Sequence, residues 1–273
     1  MTAPMQMRGR VAVDTGAGGG IGRAIVLALA RRGAHLALVD VDAAGLASVA
    51  EAAAALGVRA VVHRFDVTDR AAVAALPEQV RAGLGRVDLL VNNAGVALGG
   101  TFEQVSADDF DWLIAINFDA VVRMTRAFLP LLHTSDDARI VNVSCIYGIV
   151  APAGQTAYAA SKFAVRGFSN ALRHELDGSR IGVTVVHPGG VATAIARSAR
   201  VPPGVPSDEV ARRRAAADKK LRMPPERAGE IIVRAVEQRR PRVLVGADAK
   251  VVALLERLAP VGYWRVLRRL FEA

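Results

Sequence analysis

Eight residues near the N-terminus decide the fold: Thr15-Gly16-Ala17-Gly18-Gly19-Gly20-Ile21-Gly22. They follow a short β-branched run, Val11-Ala12-Val13, which predicts a buried strand. The apolar, alanine-rich segment Ile21–Arg32 predicts a helix, and Gly33 is the expected stop after it. Glycines in such a turn let the backbone approach a pyrophosphate, whose charge is met by the free N–H groups of the helix N-terminus. The stretch predicts a dinucleotide-binding turn, provided that the residues after it match such a site at the expected distances.

Length and composition favour one large α/β domain, because 273 residues with 52% hydrophobic content can bury one sizeable core. The first charges are not followed by an apolar segment, and no run of 18 apolar residues occurs, so neither a secretory signal nor a membrane span is expected. The single cysteine, Cys145, excludes an internal disulfide and fits the cytoplasm. The whole net charge of +9 comes from residues 197–273, with 18 Lys/Arg and 9 Asp/Glu.

Strands alternate with helix-length segments along the chain. The further predicted strands are His35–Val39, Ala60–Phe65, Val87–Val91, Arg139–Val143 and Val183–His187, and the further helices are Ala43–Leu56, Ala71–Leu84, Ala107–Leu132 and Ala157–Leu176. Because these strands are apolar on both faces, the pattern indicates a parallel sheet covered by helices on both sides. We expect a doubly wound Rossmann-type α/β fold in one domain.

Acidic residues at two strand ends bear on the nucleotide. Asp40 lies 24 residues after Gly16, where a carboxylate can accept hydrogen bonds from the adenosine ribose and repels a 2′-phosphate, which favours NAD over NADP. The alternative is that Asp40 caps the helix that begins near Ala43, although Asp42 could do so instead. Asp66 is either an acceptor for the adenine edge or a turn residue.

The catalytic signal is Tyr158-Ala159-Ala160-Ser161-Lys162. Tyr158 and Lys162 share one helix face at i and i+4, so the ammonium lies near the phenol. It can lower the phenol pKa from the reference value of about 10, helped by the positive nicotinamide of an oxidised cofactor. Ser144 lies fourteen residues upstream, at the end of the fifth strand, where doubly wound sheets bind ligands. Its hydroxyl could hold a substrate oxygen near the phenol.

Over about residues 8–250 the chain resembles the short-chain dehydrogenase/reductase family. The matching features are Thr15-Gly16-x-x-x-Gly20-Ile21-Gly22, Asp66, Asn92-Asn93-Ala94-Gly95, Asn117, Ser144, Tyr158-x-x-x-Lys162 and Pro188-Gly189-x-x-x-Thr193. The resemblance implies a seven-stranded sheet ending with Val243-Leu244-Val245, and hydride transfer between nicotinamide and a carbinol carbon. It implies that NAD contacts Gly16, Gly20, Ile21, Gly22, Asp40, Asp66, Val67, Asn93, Ala94, Gly95, Tyr158, Lys162, Pro188, Gly189, Val191 and Thr193.

The resemblance also assigns catalytic roles. Tyr158 would be the general acid/base, Ser144 would orient the substrate oxygen, and Lys162 would bind the nicotinamide ribose and depress the Tyr158 pKa. Asn117 would hold a water that links Lys162 to solvent. Asn93 would fix the strands on the nicotinamide side, and the Pro188–Thr193 turn would contact the carboxamide. A homodimer or homotetramer would form through the Ala107–Leu132 and Ala157–Leu176 helices.

Two residues depart from the family pattern. Asp14 takes a usually apolar position, where a carboxylate is unfavourable unless it is paired, so it either points to solvent or weakens the cofactor turn. Cys145 replaces a frequent second serine and is expected to pack as a small side chain. The five histidines lack metal-ligand spacing, so no metal is expected.

Substrate identity should reside in a lid over residues 194–225. Its basic residues lie in a predicted helix over about Ser207–Leu221 and are Arg212-Arg213-Arg214 and Lys219-Lys220. They either face water or bind an acidic substrate such as an acyl-CoA. Exposure to water is favoured, because runs of charged residues usually face solvent. Apolar residues of the lid and after Ser144 (Ile195, Val201, Val205, Ile146, Tyr147) favour a lipophilic secondary alcohol or ketone, steroid-like or long-chain.

The last segment, residues 251–273, reads as an amphipathic helical extension to a catalytic domain of residues 1–250. Packing on the pocket or on a partner subunit is favoured, peripheral contact with an anionic membrane is the alternative, and nucleic-acid binding is not expected. The most consistent function is an NAD-dependent oxidoreductase. The alternatives are an NADP-dependent ketoreductase, a 3-hydroxyacyl-CoA dehydrogenase and a non-catalytic cofactor-sensing protein of the same fold.

Overall fold

A computed structural model describes residues 3–272 of the chain. Parallel pairing joins seven strands of this part into one sheet of order β3-β2-β1-β4-β5-β6-β7. The strands are β1 Val11–Thr15, β2 His35–Asp40, β3 Ala60–Arg64, β4 Leu89–Asn92, β5 Ala138–Val143, β6 Ile181–Pro188 and β7 Arg242–Val245. The order reverses between β1 and β4, which is where doubly wound sheets bind their ligands. The predicted fold and its last strand are confirmed.

Helices cover both faces of the sheet. They are α1 Gly20–Ala30, α2 Ala43–Ala55, α3 Arg70–Leu84, α4 Ala107–Ile114, α5 Ala120–Thr134, α6 Thr156–Glu175, α7 Ser207–Lys220, α8 Pro225–Glu237, α9 Ala247–Leu258 and α10 Tyr263–Glu272. The predicted helix over 107–132 is divided, because a π-helical segment, Ala115–Asp119, joins α4 to α5. Its wider turn puts Asn117 on the side of the sheet that carries the candidate site.

The core consists of two layers, one on each face of the sheet. Val11 and Val13 of β1 pack against the layer formed with α3 and α5, whereas Ala12 packs against the layer formed with α1 and α8. Successive strand residues point to opposite faces, so Asp14 shares the face of Ala12. It is fully buried, which excludes the solvent-facing placement that the sequence left open.

Close backbone contact joins α1 to α8. A Cβ at Gly229 would lie 2.5 Å from the carbonyl carbon of Ala24, so only glycine permits this approach. Arg32 follows α1 and forms ion pairs with Glu230 and Glu237 of α8. The helix ends two residues before the predicted boundary, and Gly33 adopts a φ of +83° as expected for its stop.

The C-terminal extension packs on the same chain. Trp264 and Leu267 of α10 contact the buried loop residues Ile149 and Val150, and the Tyr263 hydroxyl accepts a hydrogen bond from the Ala151 N–H at 3.1 Å. This arrangement follows the favoured expectation of protein packing, and the Tyr263 and Trp264 side chains pack against the rest of the chain. In residues 3–272 no helix has both the length and the apolar composition needed to cross a membrane.

The segment before α7 is tied to the neighbouring loop. Arg200 makes an ion pair with Asp109 of α4, and its guanidinium lies 3.6 Å from the centre of the Trp112 ring. Backbone hydrogen bonds also join Arg200 to Ala97 and Gly99. By contrast, no described side chain of α7 is buried. The predicted lid therefore has a fixed base and a solvated helix.

Candidate active site

The glycine turn after β1 fits a pyrophosphate. Gly16 has a φ of +72°, and a Cβ at Gly22 would lie 2.0 Å from the Gly16 carbonyl oxygen, so both positions need glycine. No side chain caps the N-terminus of α1 at Gly19, and its first turn contains no acidic residue. The N–H groups of this helix end are therefore directed towards the turn without a competing carboxylate on α1 itself, as an anion site requires.

Asn93 holds this turn in place. Its Nδ2 atom donates to the carbonyl oxygens of Thr15 at 2.9 Å and Gly16 at 3.2 Å, and the Thr15 hydroxyl accepts from the N–H groups of Asn93 and Ala94. These bonds join the ends of β1 and β4 where the strand order reverses. Asn93 thus supports the pyrophosphate turn as well as the strands on the side assigned to nicotinamide.

Asp40 lies beside the glycine turn. One carboxylate oxygen accepts from the Gly18 N–H at 2.9 Å, and the other accepts from the Asp42 N–H at 3.0 Å. Asp42 caps α2 through the N–H groups of Ala44 and Gly45, so the capping role is not that of Asp40. These two bonds hold the carboxylate beside the glycine turn, and its contact with an adenosine ribose stays a prediction.

Asp66 has the geometry of a turn residue. Its Oδ1 atom accepts from both the N–H and the hydroxyl of Thr68 at 2.8 Å, and Val67 is buried next to it. The structure therefore shows the turn, which is one of the two roles expected for Asp66. The contact with adenine stays a prediction.

Tyr158, Lys162 and Asn117 come together as predicted. The two α6 side chains are buried, with the Lys162 ammonium 5.7 Å from the Tyr158 ring centre. Lys162 donates to the Val143 carbonyl at 3.2 Å, at the end of β5. Asn117 exchanges two hydrogen bonds with the Val96 backbone, and its amide and the Lys162 ammonium both lie close to Gly95.

Burial dominates the pKa values of the two α6 side chains. Burial, followed by the neighbouring Cys145, raises the pKa of Tyr158 well above its usual range. Burial also lowers the pKa of Lys162 to about 8. A positive nicotinamide next to these groups would favour the phenolate, because an opposite charge stabilises the ionised form. The depression of the Tyr158 pKa by Lys162 together with a positive nicotinamide stays a prediction.

Ser144 also differs from the prediction. Its hydroxyl donates to the Lys162 carbonyl at 2.8 Å, is almost fully buried, and is covered by Gly148, where a Cβ would lie 2.3 Å from Oγ. Asn142 of β5 likewise bonds Ser169 of α6. Residues at i and i+2 of a strand share a face, which explains why Ser144 is directed into α6 and not towards the phenol.

Cys145 lies in the apolar cluster that contains Tyr158. It packs in a cluster with Tyr147 and Tyr158, whose rings meet edge to face with centres 6.1 Å apart. Its carbonyl accepts from the Gly148 N–H at 2.9 Å and lies 3.0 Å from His187 Nδ1. Burial lowers the pKa of His187 to about 4, so the neutral ring donates to this carbonyl.

The Pro188–Thr193 turn meets the glycine turn. The Thr193 methyl carbon lies 3.2 Å from the position of a Cβ on Gly20. Sequence reasoning missed Asp248, which accepts from the Gly190 N–H at 2.6 Å. A Cβ on Gly189 would lie 2.2 Å from the same carboxylate. The Gly189-Gly190 pair was the available signal, because two successive glycines allow another group to approach the backbone closely.

Comparison with known proteins identifies the family of the chain. A family model described as short chain dehydrogenase matches residues 10–203. The chain belongs to the short-chain dehydrogenase family. Among its relatives, the putative oxidoreductase SadH of Mycobacterium tuberculosis is 44% identical over 95% of this chain and 94% of its own length.

Solved structures of the family have the same fold. A short-chain dehydrogenase/reductase from Burkholderia phymatum in complex with NAD is 30% identical, with a TM-score of 0.86 and coverage of 94% of this chain and 95% of its own. A metagenomic short-chain oxidoreductase in complex with NADP is also 30% identical, with a TM-score of 0.71 and coverage of 88% and 98%. The protein is thus a short-chain dehydrogenase that acts on CH–OH donors with a nicotinamide nucleotide.

Proposed function

We propose that this short-chain dehydrogenase uses NAD to interconvert an uncharged, lipophilic secondary alcohol and its ketone. The observation that carries the proposal is the buried group of Tyr158, Lys162 and Asn117, of which Lys162 and Asn117 lie against Gly95 after β4, together with the uncapped N-terminus of α1 after the adjacent β1. These positions suit a nicotinamide ring and a pyrophosphate respectively.

Each residue of this group has its own role in the proposed reaction. Bound NAD supplies the hydride acceptor. In alcohol oxidation the Tyr158 phenolate accepts the proton of the carbinol oxygen as the hydride leaves its carbon, and in ketone reduction the phenol returns that proton. Lys162 holds the ribose and stabilises the phenolate together with the nicotinamide charge. Asn117 fixes the loop around Val96 that lies against Lys162.

Asp40 supports the choice of NAD. Its carboxylate is oriented by two backbone N–H groups next to the glycine turn, so it is placed to accept hydrogen bonds from ribose hydroxyls. A 2′-phosphate in the same place would bring a dianion against this fixed negative charge. On this basis NADP is the poorer cofactor.

The surroundings of Tyr158 support an uncharged substrate. The buried side chains that pack with it are apolar or aromatic: Leu98, Leu113 and Ala157, joined by Val96, Phe110, Trp112 and Tyr147. Apolar surroundings of this kind favour ligands that bury apolar surface on binding. The described cations of α7 are exposed, and Arg212 and Arg197 pair with Asp208 and Asp218 respectively.

The test is NADH formation with a panel of alcohols: sterols and long-chain secondary alcohols beside a 3-hydroxyacyl-CoA. We expect turnover with the uncharged set only. Turnover confined to the CoA ester would show that the basic lid binds phosphates. Tyr158→Phe should abolish turnover while leaving NADH affinity within about twofold, because only the proton-transferring oxygen is removed. Tyr263→Phe, which lies outside the site, is the matched control.

We further propose that two copies associate through α5 and α6, as the family resemblance implies. Phe163 of α6 is 38% exposed beside Arg166, and an exposed aromatic side chain on a helix face is typical of an interface. Sedimentation of the wild-type protein should give a dimer or tetramer, and Phe163→Asp should shift it to smaller species. A wild-type monomer would refute the proposal.

A further inference from the structure

We propose that Cys145, and not Ser144, is the residue that contacts the substrate oxygen beside Tyr158. This inference rests on the function proposed above and gives the chain an active site built from a thiol and a phenol. It replaces the packing role expected for Cys145 from the sequence.

The first observation is that the Ser144 hydroxyl is already committed. It donates to the Lys162 carbonyl and is 3% exposed, and Gly148 closes the space above it. A substrate oxygen could reach this hydroxyl only if β5 separated from α6. Ser144 therefore joins a strand to a helix, and its proton is not available to the site.

The second observation is the position of the Cys145 side chain. It is partly exposed, whereas its neighbours Ser144 and Tyr158 are buried, and it packs in the apolar cluster that contains the Tyr158 and Tyr147 side chains. The two groups that would hold one substrate oxygen therefore belong to the same cluster.

The third observation is that the Cys145 backbone is fixed from two sides. Its carbonyl accepts from the Gly148 N–H and from His187 of β6, which leaves little freedom to the Cα–Cβ direction. His187 is fully buried, and its Nε2 atom is without a partner among the described residues, so its ring serves this contact alone. A residue held in this way can position a ligand.

The chemistry is a hydrogen bond, with no covalent step. The S–H group would donate to the ketone oxygen, or the sulfur would accept from the alcohol hydroxyl, while Tyr158 moves the proton of that same oxygen. A thiol is a weaker donor than a hydroxyl and also larger. Cys145→Ser should therefore retain turnover or raise it, whereas Cys145→Ala should lower kcat.

The first experiment measures kcat, KM and NADH affinity for three variants. We expect Cys145→Ala to lower kcat about tenfold with NADH affinity unchanged, and Cys145→Ser to equal or exceed the wild type. Ser144→Ala should lower Tm and reduce kcat of the folded enzyme far less than Cys145→Ala does. Full kcat in Cys145→Ala, with loss in a folded Ser144→Ala, would overturn the inference. Absence of wild-type turnover would instead refute the proposed function.

The second experiment needs no turnover. Cys145 is the only cysteine of the chain, so alkylation by iodoacetamide reports on a single thiol. A Tyr158 hydroxyl in contact with the sulfur would stabilise the thiolate by hydrogen bonding, so the midpoint of alkylation rate against pH should rise in Tyr158→Phe. Lys162 and Tyr147 also face the thiol and stay unchanged in that variant. Tyr263→Phe should leave the midpoint in place. An equal midpoint in Tyr158→Phe, or no reaction in any form, would overturn the contact.

Discussion

The Asp248 carboxylate of α9 accepts a hydrogen bond from the Gly190 backbone N–H, with 2.6 Å between Oδ2 and nitrogen. It thereby connects the C-terminal helices to the turn that the family resemblance assigns to the nicotinamide carboxamide. Met223 also pairs with Val191 of this turn, so the turn is held from two segments that follow it in the chain.

Asp248→Ala should raise the KM for NAD about threefold to tenfold, with kcat within about twofold. The variant loses one charge-assisted hydrogen bond at an exposed position, worth on the order of 1 kcal/mol, while Tyr158 and Lys162 are untouched. Steady-state kinetics at saturating alcohol measure both constants. Glu256→Gln, another acidic position of α9, should behave as the wild type. An unchanged KM in Asp248→Ala would show that the turn keeps its conformation without this bond.

Arg200→Gln should raise the KM for the alcohol about twofold to tenfold and expose the lid to proteases. The change removes both the ion pair with Asp109 and the guanidinium over the Trp112 ring, contacts worth roughly 0.5–2 kcal/mol together. Limited trypsin digestion and alcohol KM at saturating NAD are the measurements. Arg197→Gln removes an exposed pair in the same segment and should change neither. If both variants behave alike, the base of the lid is not fixed by Arg200.

Asp14→Val should raise the free energy of unfolding by about 1–3 kcal/mol at pH 7, because neither carboxyl oxygen has a hydrogen-bond partner among the described residues. Burial, followed by the charge of Asp40, raises the pKa of Asp14 well above its usual range. The folded state therefore keeps the proton that the unfolded state releases, and wild-type stability falls as pH rises above the unfolded pKa of about 4.

The stability gap between Asp14→Val and wild type should accordingly widen from pH 4.5 to pH 7. Urea unfolding at both pH values measures it, with NADH affinity as the check on the glycine turn. A gap that is constant with pH would mean that Asp14 ionises normally in the folded protein.

Asp40→Asn should lower the ratio of NADPH to NADH dissociation constants at least about tenfold, since the negative charge that opposes a 2′-phosphate is removed. Fluorescence titration with the two reduced nucleotides gives the ratio. Asp42→Asn is the matched control: asparagine caps a helix as well as aspartate does, so its ratio should equal that of the wild type. Equal ratios in wild type and Asp40→Asn would leave the preference for NAD without its proposed cause.

The sheet could be predicted because each strand is a short apolar run. The ends of the helices before the strands could be predicted because glycine readily adopts the positive φ that terminates a helix. Tyr158 and Lys162 followed from helical spacing, which fixes their mutual position whatever the rest of the chain does. The placement of Asp40 beside the glycine turn also followed from its position at a strand end.

Ser144 and Cys145 could not be assigned in this way. They are adjacent at a strand end, and the choice of which one faces the phenol depends on how the chain turns into the short 3-10 helix Ile146–Gly148. Asn142 and Ser144 share one face of β5, because side chains alternate along a strand. The sequence alone does not show that α6 covers this face, so the direction of Ser144 could not be predicted. The contact of Asp248 with Gly190 spans 58 residues, and no local pattern encodes it.

The π-helical segment between α4 and α5 makes the chain intolerant of a change in length there. The N–H of Ala120 bonds the carbonyl of Ala115, one residue further back than in an α-helix. Deleting one residue would restore α-helical pairing but rotate everything beyond it by about 100°. Either Asn117 would leave Val96, or Phe128 would leave the core. The number of residues between Asn117 and Phe128 must therefore stay constant. Only this number keeps Asn117 at the candidate site and Phe128 in the core at the same time.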